Sequence, residues 1–73
     1  SPFTVDQIRY WTKQIFTFPK DTPIVVREVP CVKTGCPPIE TAIMVFLKGE
    51  PPRPFKIQKT INEIAFDDVC KIM

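Results

Sequence analysis

Histidine is absent from this 73-residue sequence, glycine occurs only twice, and the single serine is at position 1. A Ser/His/Asp triad and a glycine-rich phosphate-binding loop therefore cannot be assembled from this chain. Asp67 and Asp68 are adjacent carboxylates, but neighbouring residues of a helix point to different sides and cannot flank a substrate together. The sequence predicts a protein that is not an enzyme.

Long apolar runs are also lacking, and none approaches the roughly 20 residues that a membrane span requires. No segment resembles a signal peptide, and three cysteines are too few for a disulfide-rich secreted scaffold. We therefore expect a soluble cytoplasmic protein with no membrane partner. The net charge of +2 is small for a nucleic-acid binder, so nucleic acid is a disfavoured partner.

Proline is the residue in excess, with nine in the chain against an average usage of about 5%. Each proline fixes its own φ, so the loops should be stiff and the unfolded chain should have less entropy to lose. The length supports one domain, residues 1–73, and the hydrophobic fraction of 44% is that of a globular protein.

The first 18 residues carry the signals of an amphipathic helix. Thr4 and Gln7 fit a capping box, and Phe3 and Ile8 fit a hydrophobic staple around it. Apolar positions recur with helical periodicity and predict one core-facing side. Its members are Val5, Ile8, Trp11, Thr12, Ile15, Phe16 and Phe18. Pro19 is expected to end the helix near Phe18.

Three strands and a second helix follow in the predicted order. Residues 23–29 and 39–47 are rich in β-branched or apolar side chains, and the second run is apolar on both faces, which predicts a central strand. Residues 48–54 form a turn, and residues 55–59 alternate like a half-exposed strand. A short helix from about residue 65 places two aspartates in its first turn. The predicted fold class is α+β: helix, three-stranded antiparallel meander, helix, in a two-layer sandwich.

Cys31 and Cys36 lie in PCVKTGCPP, the segment that points most directly to chemistry. A structural zinc ion takes four nitrogen or sulfur ligands, so with no histidine the set would need Cys70, Glu40 or a second subunit. A redox pair normally has Cys-x-x-Cys spacing at a helix N-terminus, which is absent here. A disulfide and two free structural thiols complete the alternatives. No cofactor is predicted; zinc is the metal that the cysteines would bind.

The run CVKTGCPPIETAI resembles a segment of small uncharacterised bacterial proteins, with cyanobacteria as a candidate source. In that family a Cys-x4-Cys-Pro-Pro run precedes a central strand. The resemblance covers about residues 24–69 and implies no activity, cofactor or partner.

Four side chains are candidate contact residues: Tyr10, Arg27, Arg53 and Lys56. Tyr10 falls on the polar side of the first helix, where an exposed aromatic can serve recognition. Arg53 lies within a Pro-x-x-Pro spacing, which SH3-type domains bind but which also suits a plain turn. The two other residues belong to predicted strands.

The function that we expect is non-catalytic, that of a protein–protein interaction module or small accessory subunit. A sheet covered by helices on one side leaves a face or edge for a partner protein, and Arg27, Glu28, Lys56 and Gln58 are available for it. An uncovered edge would also allow a homodimer. One alternative is a thiol- or metal-binding module built on the cysteines. The other is weak nucleic-acid binding by a basic set, Arg53, Phe55, Lys56 and Lys59.

Overall fold

The computed structural model describes residues 2–30, 34–35 and 38–72, and for residues 2 and 3 the backbone only. The elements, in order, are α1 (Pro2–Phe16), β1 (Ile24–Pro30), β2 (Ile39–Val45), β3 (Arg53–Ile57), a 3-10 turn (Ile61–Glu63) and α2 (Phe66–Cys70). The predicted α+β order of helix, antiparallel meander and helix is confirmed. No helix in the described part of the chain combines the length and apolarity that a membrane crossing requires.

Helix α1 begins three residues earlier than the capping pattern predicted. Its first residue is Pro2, so Thr4 lies inside the first turn and is not the N-cap. Proline suits this position because its φ is already helical and its missing N–H would have no partner in the first turn. The predicted core-facing side is confirmed: Ile8 and Thr12 are fully buried, and the Thr12 hydroxyl donates to the Ile8 carbonyl at 2.8 Å.

The end of α1 is set by Thr17, not by Pro19. Thr17 has a φ of 59°, in the left-handed region. The Phe18 N–H then donates to the Lys13 carbonyl at 2.9 Å, the 6→1 bond of a Schellman motif. The helix therefore stops at Phe16, and Phe18 folds back so that its ring stacks on Phe16 at 5.3 Å between centroids.

The sheet has the order β1-β2-β3, and β2 is the central strand as predicted. Ile43 pairs with Val26 on one side and with Phe55 on the other, which fixes the register of all three strands. The prediction that β2 is buried on both faces is wrong. Ile43 and Val45 are buried against the helices, whereas Met44 on the opposite face is only half-buried.

Strand β3 starts at Arg53, within the segment predicted as a turn. The Phe46 N–H donates to the Pro23 carbonyl, so the backbone groups of Phe46 face β1. Because these groups alternate in direction along a strand, those of Ile43 and Val45 face β3. The backbone of Pro54 therefore faces away from β2, where its missing N–H costs no ladder bond. The predicted turn before it is confirmed at Gly49, whose φ is +78°.

The hydrophobic core lies between the sheet and the helices, so the molecule has two layers. Its buried members come from α1, the three strands and the C-terminal segment: Ile8, Ile24, Val26, Ile43, Val45, Ile57, Ile64 and Val69. Thr41 is buried among them, and its hydroxyl donates to the Lys59 carbonyl at 2.7 Å. This bond ties the central strand to the chain that leaves β3.

Helix α2 starts at Phe66, which confirms the short C-terminal helix. Asp67 and Asp68 lie in its first turn, as predicted. The Asp68 carboxylate accepts the Ala65 N–H at 2.9 Å and pairs with Lys59 at 2.9 Å. The 3-10 turn before α2 had no counterpart in the sequence prediction.

Candidate interaction surface

One face of the sheet points away from both helices. Because side chains alternate along a strand, the residues between the core positions must share this second face. We call it the open face and define it by Val25, Arg27, Val29, Glu40, Ala42, Met44, Pro54 and Lys56.

An apolar row crosses the open face. Val25 pairs with Met44 and Met44 with Pro54, so the three side chains lie side by side on three strands. Val25 is 43% exposed, Pro54 is exposed and Met44 is half-buried. Phe46, which is 40% exposed, follows two positions after Met44. Water therefore contacts a continuous apolar strip at this end of the sheet.

A basic row lies next to the apolar row. Arg27 and Lys56 are the two ladder partners of Ala42, so their Cα atoms are about two strand spacings, or roughly 10 Å, apart. Within the described part of the chain, the Arg27 guanidinium has no hydrogen-bond or ion-pair partner. The Lys56 ammonium lies 3.3 Å from the Glu40 carboxylate, which is 9% exposed, but most of the Lys56 side chain remains in water.

The four candidate contact residues do not form one surface. Arg27 and Lys56 come together on the open face, whereas Arg53 is the ladder partner of Val45 and lies on the helix side. Its guanidinium pairs with Glu50 at 2.6 Å. Tyr10 lies on a third surface, the outer side of α1, where it is 56% exposed.

The polar side chains around Tyr10 make hydrogen bonds within the chain. Its hydroxyl accepts a hydrogen bond from Gln14, and it lines a groove of about 550 Å³ along α1. Two of the three cations that line this groove, Arg9 and Lys13, donate hydrogen bonds to backbone carbonyls of the chain itself. Arg9 donates to the Ile24 carbonyl at 2.8 Å, and Lys13 donates to the Lys20 carbonyl at 2.6 Å. These bonds fasten α1 to the start of β1 and to the loop between them.

Glu28 was expected on the uncovered side of the sheet, and this expectation is wrong. It pairs with Thr41 and so belongs to the helix-side face, where its carboxylate accepts the Ile61 N–H at 2.9 Å. Gln58 follows β3 and is exposed. Glu28 therefore positions the 3-10 turn and is not available to a partner at the open face.

The residues suggested for nucleic-acid binding also lie on different surfaces of the protein. The Phe55 ring packs against Phe16, with centroids 5.2 Å apart, on the helix side. Lys56 is on the open face, and Lys59 is paired with Asp68. Arg53 and Phe55 therefore cannot act together with Lys56 on one nucleic-acid strand that lies on the open face.

Two carboxylates near the C-terminus, Glu63 and Asp68, have structural partners. The Glu63 carboxylate accepts the Thr60 N–H at 3.1 Å, and this bond lowers the pKa of Glu63. The N–H of Ala65, together with Lys59, lowers the pKa of Asp68 in the same way. Both groups hold the backbone at the start of a helical turn, and both are ionised at neutral pH.

Cys31 and Cys36 lie outside the described residues. The ladder closes where Pro30 pairs with Ile39, so the chain leaves and re-enters the sheet at neighbouring positions. Cys70, the third thiol, is half-buried in α2 and unpaired. No group of three or more potential metal ligands occurs among residues 2–30, 34–35 and 38–72.

Sequence reasoning missed the apolar row. Met44 is apolar and lies within an apolar run, so it looks like a core residue. The signal that could have found it is the helix count: one long and one short helix can cover only one side of a three-stranded sheet.

Comparison with protein-family models, curated proteins and solved structures finds no match to this chain.

Proposed function

We propose that this chain is a non-catalytic protein-interaction module that binds a partner protein on the open face of its sheet. The observation that carries the proposal is the exposed apolar row Val25–Met44–Pro54, next to Arg27 and Lys56. An apolar strip bordered by polar groups marks a surface that gains free energy when a partner excludes water from it.

The use of the other polar groups supports a binding role over a catalytic one. Glu28, Glu63 and Asp68 each accept a backbone N–H and so hold a turn or helix start in place. Asp6 and Glu50 pair with arginines within the same stretch of chain. Each of these carboxylates therefore has a structural partner within the chain.

The strand edges favour binding on the face over addition of a strand from a partner. On β1, Arg9 occupies the outward carbonyl of Ile24, and Pro30 ends the strand without an N–H. On β3, Pro54 removes the N–H that would point outward. Proline and covering charges on edge strands discourage pairing with another chain. A homodimer through these edges is correspondingly disfavoured.

The proposal is tested with a photo-crosslinking amino acid at position 25 and, as a matched control, at position 39. Val25 and Ile39 are β-branched residues of similar exposure, 43% and 40%, but Ile39 alternates with Thr41 and so lies on the helix-side face. We expect a protein of defined mass to crosslink from position 25 only, in extract of the source organism.

The crosslinked protein is then purified and its binding to the chain is measured directly. Val25→Asp should weaken binding at least tenfold, and Ile39→Asp should leave it unchanged. Equal crosslinking from both positions, or equal binding by both variants, would show that the open face is not the binding surface. Sedimentation of the chain alone reports whether the partner is a second copy.

A further inference from the structure

We infer that the partner presents an acidic protein segment to the open face, with carboxylates at Arg27 and Lys56 and apolar side chains on the row Val25–Met44–Pro54. This inference rests on the proposed function, because it names the chemistry of the partner at the same surface. Its basis is the distribution of charge across the sheet.

The open face carries an excess of positive charge that the fold does not neutralise. Its acidic and basic side chains are Arg27, Lys56 and Glu40, and the Glu40 carboxylate lies 3.3 Å from the Lys56 ammonium. Arg27 has no partner in the described part of the chain and is exposed. A guanidinium presents paired N–H donors in a plane, which matches the two oxygens of a carboxylate.

A second copy of the chain does not fit this face. In a symmetric dimer the same surface patch of both copies forms the interface, so the open face of one copy would contact the open face of the other. Two such faces would bring Arg27 and Lys56 close to the cations of the other copy. The one carboxylate of the open face, that of Glu40, belongs to a side chain that is 9% exposed and already paired with Lys56. The charges are therefore not self-complementary.

Nucleic acid fits less well than an acidic protein. Proteins that bind single strands stack bases on aromatic side chains along a basic groove. The row beside Arg27 and Lys56 is instead Val25, Met44 and Pro54, which offers aliphatic contacts and no ring. The exposed apolar row therefore matches aliphatic or aromatic protein side chains better than bases.

The two rows also set the spacing that the partner must match. Rows on one face are two residues apart along a strand, or about 7 Å. In an extended segment, alternate side chains have nearly this spacing, and in a helix neighbours three or four positions apart lie about 5–6 Å from each other. A partner segment in which apolar residues and carboxylates recur at such intervals can engage both rows together.

The test is a selection from a random library of displayed 12-residue peptides on the immobilised full chain. Peptides that also bind Val25→Asp are removed, so that only those dependent on the open face remain. We expect the remaining pool to be enriched at least twofold in Asp and Glu over the input, together with apolar residues. The same selection on Arg27→Glu/Lys56→Glu should enrich Lys and Arg instead.

The matched control is Lys20→Glu/Arg53→Glu, which makes the same change of net charge on surfaces away from the open face. Its selected pool should stay acidic. Arg27→Glu alone keeps the Lys56–Glu40 pair and replaces the double variant if that variant does not fold. A labelled 12-nucleotide single strand is titrated in parallel, and we expect at least tenfold weaker binding than for the best selected peptides.

The outcomes separate the two proposals. The acidic partner is overturned if the peptides that depend on the open face are neutral or basic. It is also overturned if their charge does not reverse with the Arg27 variants. Either result leaves the interaction surface in place. If no binder remains after the peptides that also bind Val25→Asp are removed, both proposals are overturned. Tighter, Arg27-dependent binding of the oligonucleotide overturns the acidic protein in favour of nucleic acid.

Discussion

Thr17 offers a direct test of how α1 ends. Its φ of 59° belongs to the left-handed region, which costs an L-residue roughly 1–2 kcal/mol. Thr17→Gly removes this cost because glycine has no Cβ, and the exposed Thr17 side chain has little packing to lose. Glycine also raises the entropy of the unfolded chain, which costs about 0.4–1 kcal/mol. The net expectation is a gain of about 0.5–1 kcal/mol in the free energy of unfolding.

Urea unfolding followed by circular dichroism measures this gain. In a domain of this size 1 kcal/mol corresponds to roughly 4–8 °C in Tm, so thermal scans give a second readout. Gln7→Gly is the matched control, since it introduces the same residue at an exposed position inside α1. That variant should lose about 0.5–1 kcal/mol. If Thr17→Gly loses stability as Gln7→Gly does, the left-handed residue is not a cost and the reasoning fails.

Three further predictions concern the core, pH and the thiols. Thr41→Val should lower the free energy of unfolding by about 1 kcal/mol, measured in urea, because the Lys59 carbonyl loses the hydroxyl that donates to it. An unchanged urea midpoint would mean that water replaces the lost hydroxyl. The folded pKa of Asp68 is lowered from 3.8, so its stabilisation is present above that pH and is lost as pH falls through the folded pKa. Asp68→Asn should therefore flatten the decline of Tm in acid, and an identical decline would contradict this. Elemental analysis should find no stoichiometric metal; zinc released by alkylation of Cys31 and Cys36 would favour the metal-binding alternative.

The helix boundaries show where local signals suffice and where they fail. The start of α2 was predictable because Asp67 and Asp68 stabilise a first turn and would be costly inside an apolar arc. The start of α1 was not, because Thr4 and Pro2 both carry start signals and the backbone satisfies only one. The end of α1 was missed because threonine seldom takes a positive φ, so no local preference indicates Thr17.

The candidate site depended on the sheet register. Arg27, Arg53 and Lys56 all belong to strands, but their faces follow from the pairs Arg27–Ala42, Lys56–Ala42 and Arg53–Val45. A shift of one residue in the pairing would exchange the faces. The sequence could therefore suggest these three residues by type, and only the strand pairing could separate Arg27 and Lys56 from Arg53.

By itself, the sequence determined the order of the elements, the central position of β2 and the core-facing side of α1. These follow from periodicity, β-branched runs and proline, which act over a few neighbouring residues. The tertiary structure alone decided which face of the sheet stays open. Val25 and Val26 are chemically identical, yet one is 43% exposed and the other 8%, because the helices cover only one side of β1. Alternation shows that residues share a face, and packing decides which face meets water.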